Sequence, residues 1–424
     1  MTDDLHNILR TGFDAALTAG DPFEITRKAC ADMAAAPTAI IALGKAAGAM
    51  ADAARGAGFD APGIVVTNDE NHRQIAGFAC FATAHPVPDQ RGIDAGLAVE
   101  ALVSSLGADD HLLLLISGGG SALLPAPAAP LGLAQKQALN DALLASGLDI
   151  HAMNIVRRLF SRLKGGRLAK LTAPARITQF LLSDVPGDVL ESIASGPAVA
   201  DPVPLSTAID LIKQHRLDRL DFVPSFLASL EAGAVATPVR PDDPVWCHVD
   251  THILASNAHC RAAAQAAVQS VRPGLHMLTA PALAGEAADM ARHLADLGLD
   301  GASRHPRRLV GLVAGGETTV TLDQASDGLC GRSKEMALAV ASEVHAAGGL
   351  ADWAILAGGT DGRDGPTDAA GGLLSAGQPF DTDAAATALA GHDSYHYLKA
   401  HDQLLDVGAT GTNLADLVLI VARH

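Results

Sequence analysis

Short apolar runs alternate along this chain with longer stretches of helical periodicity. Strands are predicted at residues 39–43, 63–67, 78–84, 111–116 and 177–183, and again at 248–255, 309–314, 353–357 and 417–421. Helical patterns lie between most of them, for example at 131–145, 257–271, 285–297 and 333–345. Leu5, Ile8, Leu9, Phe13 and Leu17 fall on one face of a further amphipathic helix. Strand–helix alternation with nearly continuous apolar strands predicts an α/β protein with mostly parallel sheets covered on both faces. A chain of 424 residues is long for one such core and suits two. The stretch 218–244 is rich in Pro, Asp and Ala and has no strong strand, so the expected domains are 1–235 and 236–424.

Composition narrows the function. The formal net charge of -17 argues against a nucleic-acid partner, which needs a basic footprint. Any anionic substrate must instead be held by a local basic cluster within an acidic surround. The five cysteines show no CxxC or Cys/His metal spacing and read as reduced thiols. With no signal-like N-terminal pattern and no apolar run near the ~18 residues of a membrane span, the expectation is a cytoplasmic protein without a membrane partner.

In open α/β sheets ligands bind beyond the carboxyl ends of the strands, so the loops after the strands are the places to look for chemistry. Leu43-Gly-Lys-Ala-Ala-Gly48 places Lys45 in the first turn of a helix, against the macrodipole, where a bound phosphate would reverse the sign. Ser117, Gly118, Gly119, Gly120 and Ser121 follow the 111–116 run, and successive glycines suit an anion-binding nest flanked by hydroxyls. Asp184 and Asp188 follow the 177–183 run; either could take a hydroxyl proton or hold Mg²⁺, or simply cap the turn. The stretch 154–170 is the densest basic cluster, and on a helix Arg157 and Lys164 share a face that could bind an acid.

The second half of the chain adds Glu317 in Ala314-Gly-Gly-Glu-Thr318 and Arg332 in Gly331-Arg-Ser-Lys-Glu335, the latter suited to clamp a transferring phosphoryl group. Ala409-Thr-Gly-Thr-Asn413 offers Thr410, Thr412 and Asn413, the last two as N-caps of a short helix. Residues 357–371 follow an apolar run and hold five glycines and three aspartates. Asp361, Asp364 and Asp368 are hard oxygen ligands suited to Mg²⁺, with the division between metal ligand and turn former left open. There is no GxxxxGK[ST] and no GxGxxG, so neither a P-loop nor a dinucleotide fingerprint is present.

As a set, these segments resemble the class II glycerate kinases, the family with a MOFRL-type C-terminal domain, some members of which are labelled hydroxypyruvate reductases. The matching stretches include LGKAAGAM (43–50), HPVPD (85–89), SGGGSALL (117–124), NIVRRLFSRLKGGRLA (154–169), LLSDVPGD (181–188), GRSKEMALA (331–339), AGGTDGRDGPTDAAGG (357–372) and TGTNLADL (410–417). The resemblance implies two three-layer α/β/α domains, the first Rossmann-like, with a cleft between them. It also implies ATP- and Mg²⁺-dependent phosphorylation of D-glycerate to 2-phosphoglycerate, with a homodimer as a possible assembly. Lys45 and Arg332 match the family's functional lysine and GR-motif arginine. Thr360 and Ser333 stand where many members carry Ser and Asn, without loss of charge. Two alternatives are an NAD(P)H-dependent hydroxypyruvate reductase and a non-catalytic sugar-acid or nucleotide binding module.

Overall fold

A computed structural model describes residues 2–322 and 328–424. Strands β1 (Ala39–Leu43), β2 (Gly63–Asn68), β3 (Phe78–Thr83), β4 (His111–Ile116), β5 (Arg176–Ser183) and β6 (Val249–Ser256) form one six-stranded sheet in the order β3-β2-β1-β4-β5-β6. The pairs β1/β2, β1/β4, β2/β3 and β4/β5 are all parallel. Every residue of β1 and β4 is buried, as the unbroken apolar runs of a sheet covered on both faces require. Ile41, Leu43, Val66, Leu114 and Ile116 form the centre of that core. A second apolar cluster among helices of the same unit is built around the stacked rings of Phe160 and Phe226, whose centroids are 4.2 Å apart.

The second sheet contains β7 (His276–Met277), β8 (Val310–Gly316), β9 (Asp352–Gly359), β10 (Gly371–Ser375), β11 (Leu404–Leu405) and β12 (Asp416–Arg423), in the order β11-β10-β9-β12-β8-β7. Here the expectation of mostly parallel pairing needs correcting. β12 runs antiparallel to both β8 and β9, and β10 is antiparallel to β9 and β11. β10 also lies unannounced at the end of the glycine–aspartate segment. Its two opening glycines admit close backbone approach, since a Cβ on Gly371 would lie 1.8 Å from the Ala357 carbonyl oxygen.

The chain divides into two compact units, Pro22–Leu254 and Met1–Asp21 with Ala255–His424. The division falls within β6 rather than at 235/236. Val239, Val245, Trp246 and Val249 belong to the core of the first sheet, which draws residues 236–254 into the first unit. The N-terminal helix Thr2–Ala19 belongs to the second unit, where it packs on the helix Asn257–Val271. Among the described residues, no helix is long and apolar enough to cross a membrane, and all five cysteines are free.

Candidate active site

In the first unit the loops after β1 and β4 are fastened to each other. Gly44 adopts φ 120°, where a Cβ would lie 2.4 Å from the Ser117 carbonyl oxygen. Lys45 N–H donates to the Gly118 carbonyl (2.9 Å), and Ala46 N–H donates to Ser117 Oγ (3.0 Å). Ser117, 3% exposed, therefore serves the junction between the loops. Lys45 lies just ahead of the helix Ala47–Gly56 instead of in its first turn. Gly119 has φ 81°, and a Cβ on it would meet His85 Nε2 at 3.3 Å and Lys45 Cγ at 3.4 Å. Those three residues are thus neighbours, and burial together with Lys45 holds the His85 imidazole below its usual range. Gly44→Ala is expected to lose about 1–3 kcal/mol through backbone strain alone, read as a lower urea midpoint; an unchanged midpoint would show that the loops yield freely.

The basic run separates into two groups. Arg158 pairs with Asp201 at 2.7 Å, Arg162 with Glu100 at 2.9 Å and Lys170 with Asp243 at 2.8 Å. Arg167 is buried and donates to the carbonyls of Arg158, Leu159, Lys164 and Ala236. Arg157 and Lys164 remain, and among the described residues neither has a carboxylate partner. They do not share a helix, as the spacing suggested. The helix Ile150–Leu159 stops because Ser161 Oγ accepts from the amides of Leu163 and Lys164, turning the chain.

Lys136, on the helix Leu133–Ala145, joins them and was not anticipated from sequence, because nothing around it but helical periodicity marks the position. It is 7% exposed, and burial together with Arg157 lowers its ammonium to about 8. Burial, then Lys136 and Arg157, push Lys164 well below the lysine range. Lys164 Nζ reaches Ser121 O at 2.6 Å and Ser121 Oγ at 2.8 Å, and Ser121 Oγ lies 2.8 Å from Ser195 Oγ.

A lysine whose folded value is depressed contributes stability at high pH that is lost as pH falls through about 8. A bound anion offsets that loss. Sulfate, whose charge is constant in this range, is expected to raise Tm more near pH ~7 than near pH ~10; an equal gain at both would count against the cluster as its site.

Asp184 follows β5 directly and is partly buried. Asp188 closes a turn with its N–H on the Val185 carbonyl and a left-handed φ of 53°. Ala194, Ser195 and Gly196 continue that unusual geometry at φ 49°, 62° and 59°. Strained backbone of this kind concentrates at functional sites.

In the second unit, antiparallel pairing brings Asp416, the first residue of β12, opposite Gly316 and Gly359, the last residues of β8 and β9. Arg332 Nε donates to Asp416 Oδ2 at 2.5 Å, and its Nη1 donates to Glu317. Burial raises the Asp416 carboxyl to about 7 against the attraction of Arg332, with Asp364 and Glu317 adding to the rise. Asp416 opens an apolar run, a signal that sequence reading passed over.

The three aspartates of the glycine-rich segment have different surroundings. Asp364 is buried, accepts from the amides of Ser333 and Lys334 and pairs with Lys334 Nζ at 3.0 Å, which makes it the cap of the helix Arg332–Ala346. Asp368 accepts from Tyr395 OH at 2.8 Å. Asp361 accepts from Arg363 N–H through Oδ1, and among the described residues its other oxygen takes no hydrogen bond. The described residues contain no group of three or more His, Cys, Asp or Glu side chains able to hold a metal.

The expected short helix after Asn413 is absent, because β12 begins instead. Thr410 Oγ1 donates to the Thr360 carbonyl, Leu414 N–H donates to Thr360 Oγ1, and that hydroxyl donates to Ala415 O. The 410–413 loop therefore lies against the start of the 360–364 turn. Thr412 is buried and its hydroxyl has no partner among the described residues, and Asn413 is half-buried. The bonds Thr360 makes need only a hydroxyl, which Ser would equally supply.

One unit thus gathers Lys136, Arg157 and Lys164 without a carboxylate partner among the described residues, and the other holds an arginine clasped by two carboxylates. Residues 8–228 match the family described as a domain of unknown function (DUF4147), and residues 310–416 match the MOFRL family. A D-glycerate 2-kinase from Thermotoga maritima is 33% identical over 90% of this chain and 89% of its own. A glycerate kinase crystal structure from Thermotoga maritima superposes with a TM-score of 0.87, at 29% identity, covering 99% of this chain and 100% of that one. A protein of Agrobacterium vitis with the provisional name hydroxypyruvate reductase is 37% identical over 98% of this chain and 94% of its own. The chain belongs to the glycerate kinase family built from DUF4147 and MOFRL domains.

Proposed function

We propose that this enzyme transfers the γ-phosphoryl group of ATP to D-glycerate and yields 2-phosphoglycerate, with Mg²⁺ accompanying the nucleotide. The observation that carries the reading is buried Lys136 and half-buried Arg157, gathered with Lys164 and without a carboxylate partner among the described residues. Buried charge without an internal counter-ion is costly, and a small anionic ligand supplies what is missing.

Lys45 and Arg332 act on the transferring phosphoryl, where charge develops. The amides of Gly118, Gly119 and Gly120 and the Ser121 hydroxyl take an anionic oxygen. Asp184 and Asp188 orient the acceptor hydroxyl, while Glu317, Thr410, Thr412 and Asn413 bind around the nucleotide. Mg²⁺ neutralises phosphate charge when bound and needs only one or two protein carboxylates besides water and phosphate oxygens. The open oxygen of Asp361 fits that demand, whereas Asp364 is committed to its helix and Asp368 to Tyr395.

The test is ADP release with and without D-glycerate. Lys136→Met should raise KM for glycerate roughly 10- to 150-fold, the loss of a hydrogen bond to a charged group, while kcat stays within a few-fold. ADP release that does not need glycerate would overturn the reading. So would NADH oxidation with hydroxypyruvate, the activity named for the Agrobacterium vitis relative.

A further inference from the structure

The acceptor hydroxyl must lose a proton during phosphoryl transfer, and kinase chemistry gives that role to a positioned base. One arrangement in the first unit is built for it. Lys164 is 3% exposed, and both hydrogen bonds of its Nζ go to Ser121, one to the carbonyl oxygen and one to Oγ. Ser121 is half-buried and stands in the glycine-rich loop after β4 that the kinase reading assigns to the anion. Ser195 Oγ completes the chain at 2.8 Å from Ser121 Oγ. Ser195 occupies the left-handed run 194–196, a conformation costly for residues other than glycine, and is held there by Gly165 N–H on its carbonyl (3.1 Å).

We propose that Ser121 and Lys164 form a proton relay that accepts the proton of the glycerate hydroxyl, with Ser195 positioning Ser121; this rests on the kinase reading above. As the new O–P bond forms, the acceptor O–H bond breaks and its proton passes to Ser121 Oγ. The serine's own proton passes to the Nζ lone pair of Lys164. The electron pair of the severed O–P bond leaves with ADP, and the lysine returns its proton to solvent through the same serine after product release.

The surroundings keep the amine available. Lys136 faces Lys164 from the helix Leu133–Ala145 and Arg157 from the helix Ile150–Leu159, and both are positive. Asp201, which abuts Gly165, is already taken by Arg158. Burial first, and then repulsion from Lys136 and Arg157, hold the Lys164 ammonium well below the ordinary lysine range. A lysine held only to bind an anion would work in the charged form. The two roles therefore give opposite pH dependences.

The test is kcat for ADP formation at saturating ATP, followed from about pH 6 to about pH 9.5 in wild type, Ser121→Ala and Lys164→Met, with circular dichroism to confirm folding. The relay requires wild-type kcat to rise through one ionisation. Both variants should lose on the order of 10²- to 10⁴-fold in kcat, measured at glycerate concentrations that saturate each variant, and lose that inflection. Ser121→Ala removes only a half-buried hydroxyl, so it remains informative if Lys164→Met does not fold. A Ser121→Ala enzyme within about threefold of wild type, or a wild-type kcat that falls as pH rises, would overturn the relay while leaving the kinase intact. A wild type with no glycerate-dependent ADP release would overturn the kinase reading and the relay with it.

Discussion

Arg332→Ala is expected to lower kcat by about 10³-fold or more, the scale on which arginines that stabilise a transferring phosphoryl act. Antiparallel pairing sets Asp416 between the ends of β8 and β9, where its carboxylate receives Arg332 Nε at 2.5 Å. Glu317 receives Nη1, so the fork is held from two sides. Arg332→Lys should not restore the rate, because an ammonium cannot hold two carboxylates and present a planar donor at once. Lys45→Ala should cause a loss of similar size. Steady-state kinetics decides the matter, and near-normal kcat/KM in both alanine variants would remove these residues from the chemistry.

The largest effect on stability is expected from Asp201→Ala, at about 3–5 kcal/mol. Asp201 and Arg158 are bidentate partners at 2.7 and 3.2 Å, and both side chains are 3% exposed. Removing the carboxylate leaves a guanidinium buried without its counter-ion. Arg158→Met combined with Asp201→Leu should recover much of the loss, since apolar replacement of both partners removes the uncompensated charge. Chemical denaturation checks this directly, and a single variant within about 1 kcal/mol of wild type would contradict it. The pair also secures the end of the helix that carries Arg157, so the single variant should weaken anion binding as well.

The first sheet was legible almost strand by strand, because parallel strands buried on both faces read as unbroken apolar runs. The second was less so. β10 begins with two glycines and β7 and β11 have two residues each, so none leaves a periodic signature. Pairing direction in that sheet depends on the return of β12, a long-range contact without a local mark. The domain boundary was misplaced because Val239, Val245 and Trp246 are sparse apolar residues in a proline-rich stretch, yet they pack on the first core.

Among the site residues, the basic run was visible, but its partition was not. Glu100, Asp201 and Asp243, which neutralise Arg158, Arg162 and Lys170, are far away in sequence. Lys136 and Asp416 were missed for the same reason, since burial and not residue type distinguishes them. In the glycine–aspartate segment the sequence leaves open which aspartates bind metal and which shape the turn; that Asp364 caps the helix beginning with Arg332 depends on a helix thirty residues earlier.

The most direct measurement is NMR identification of the product formed by purified protein from D-glycerate, ATP and Mg²⁺. 2-Phosphoglycerate appearing in step with ADP is the expected outcome. Formation of 3-phosphoglycerate, or no phosphoglycerate with NADH consumed on hydroxypyruvate, would contradict the assignment.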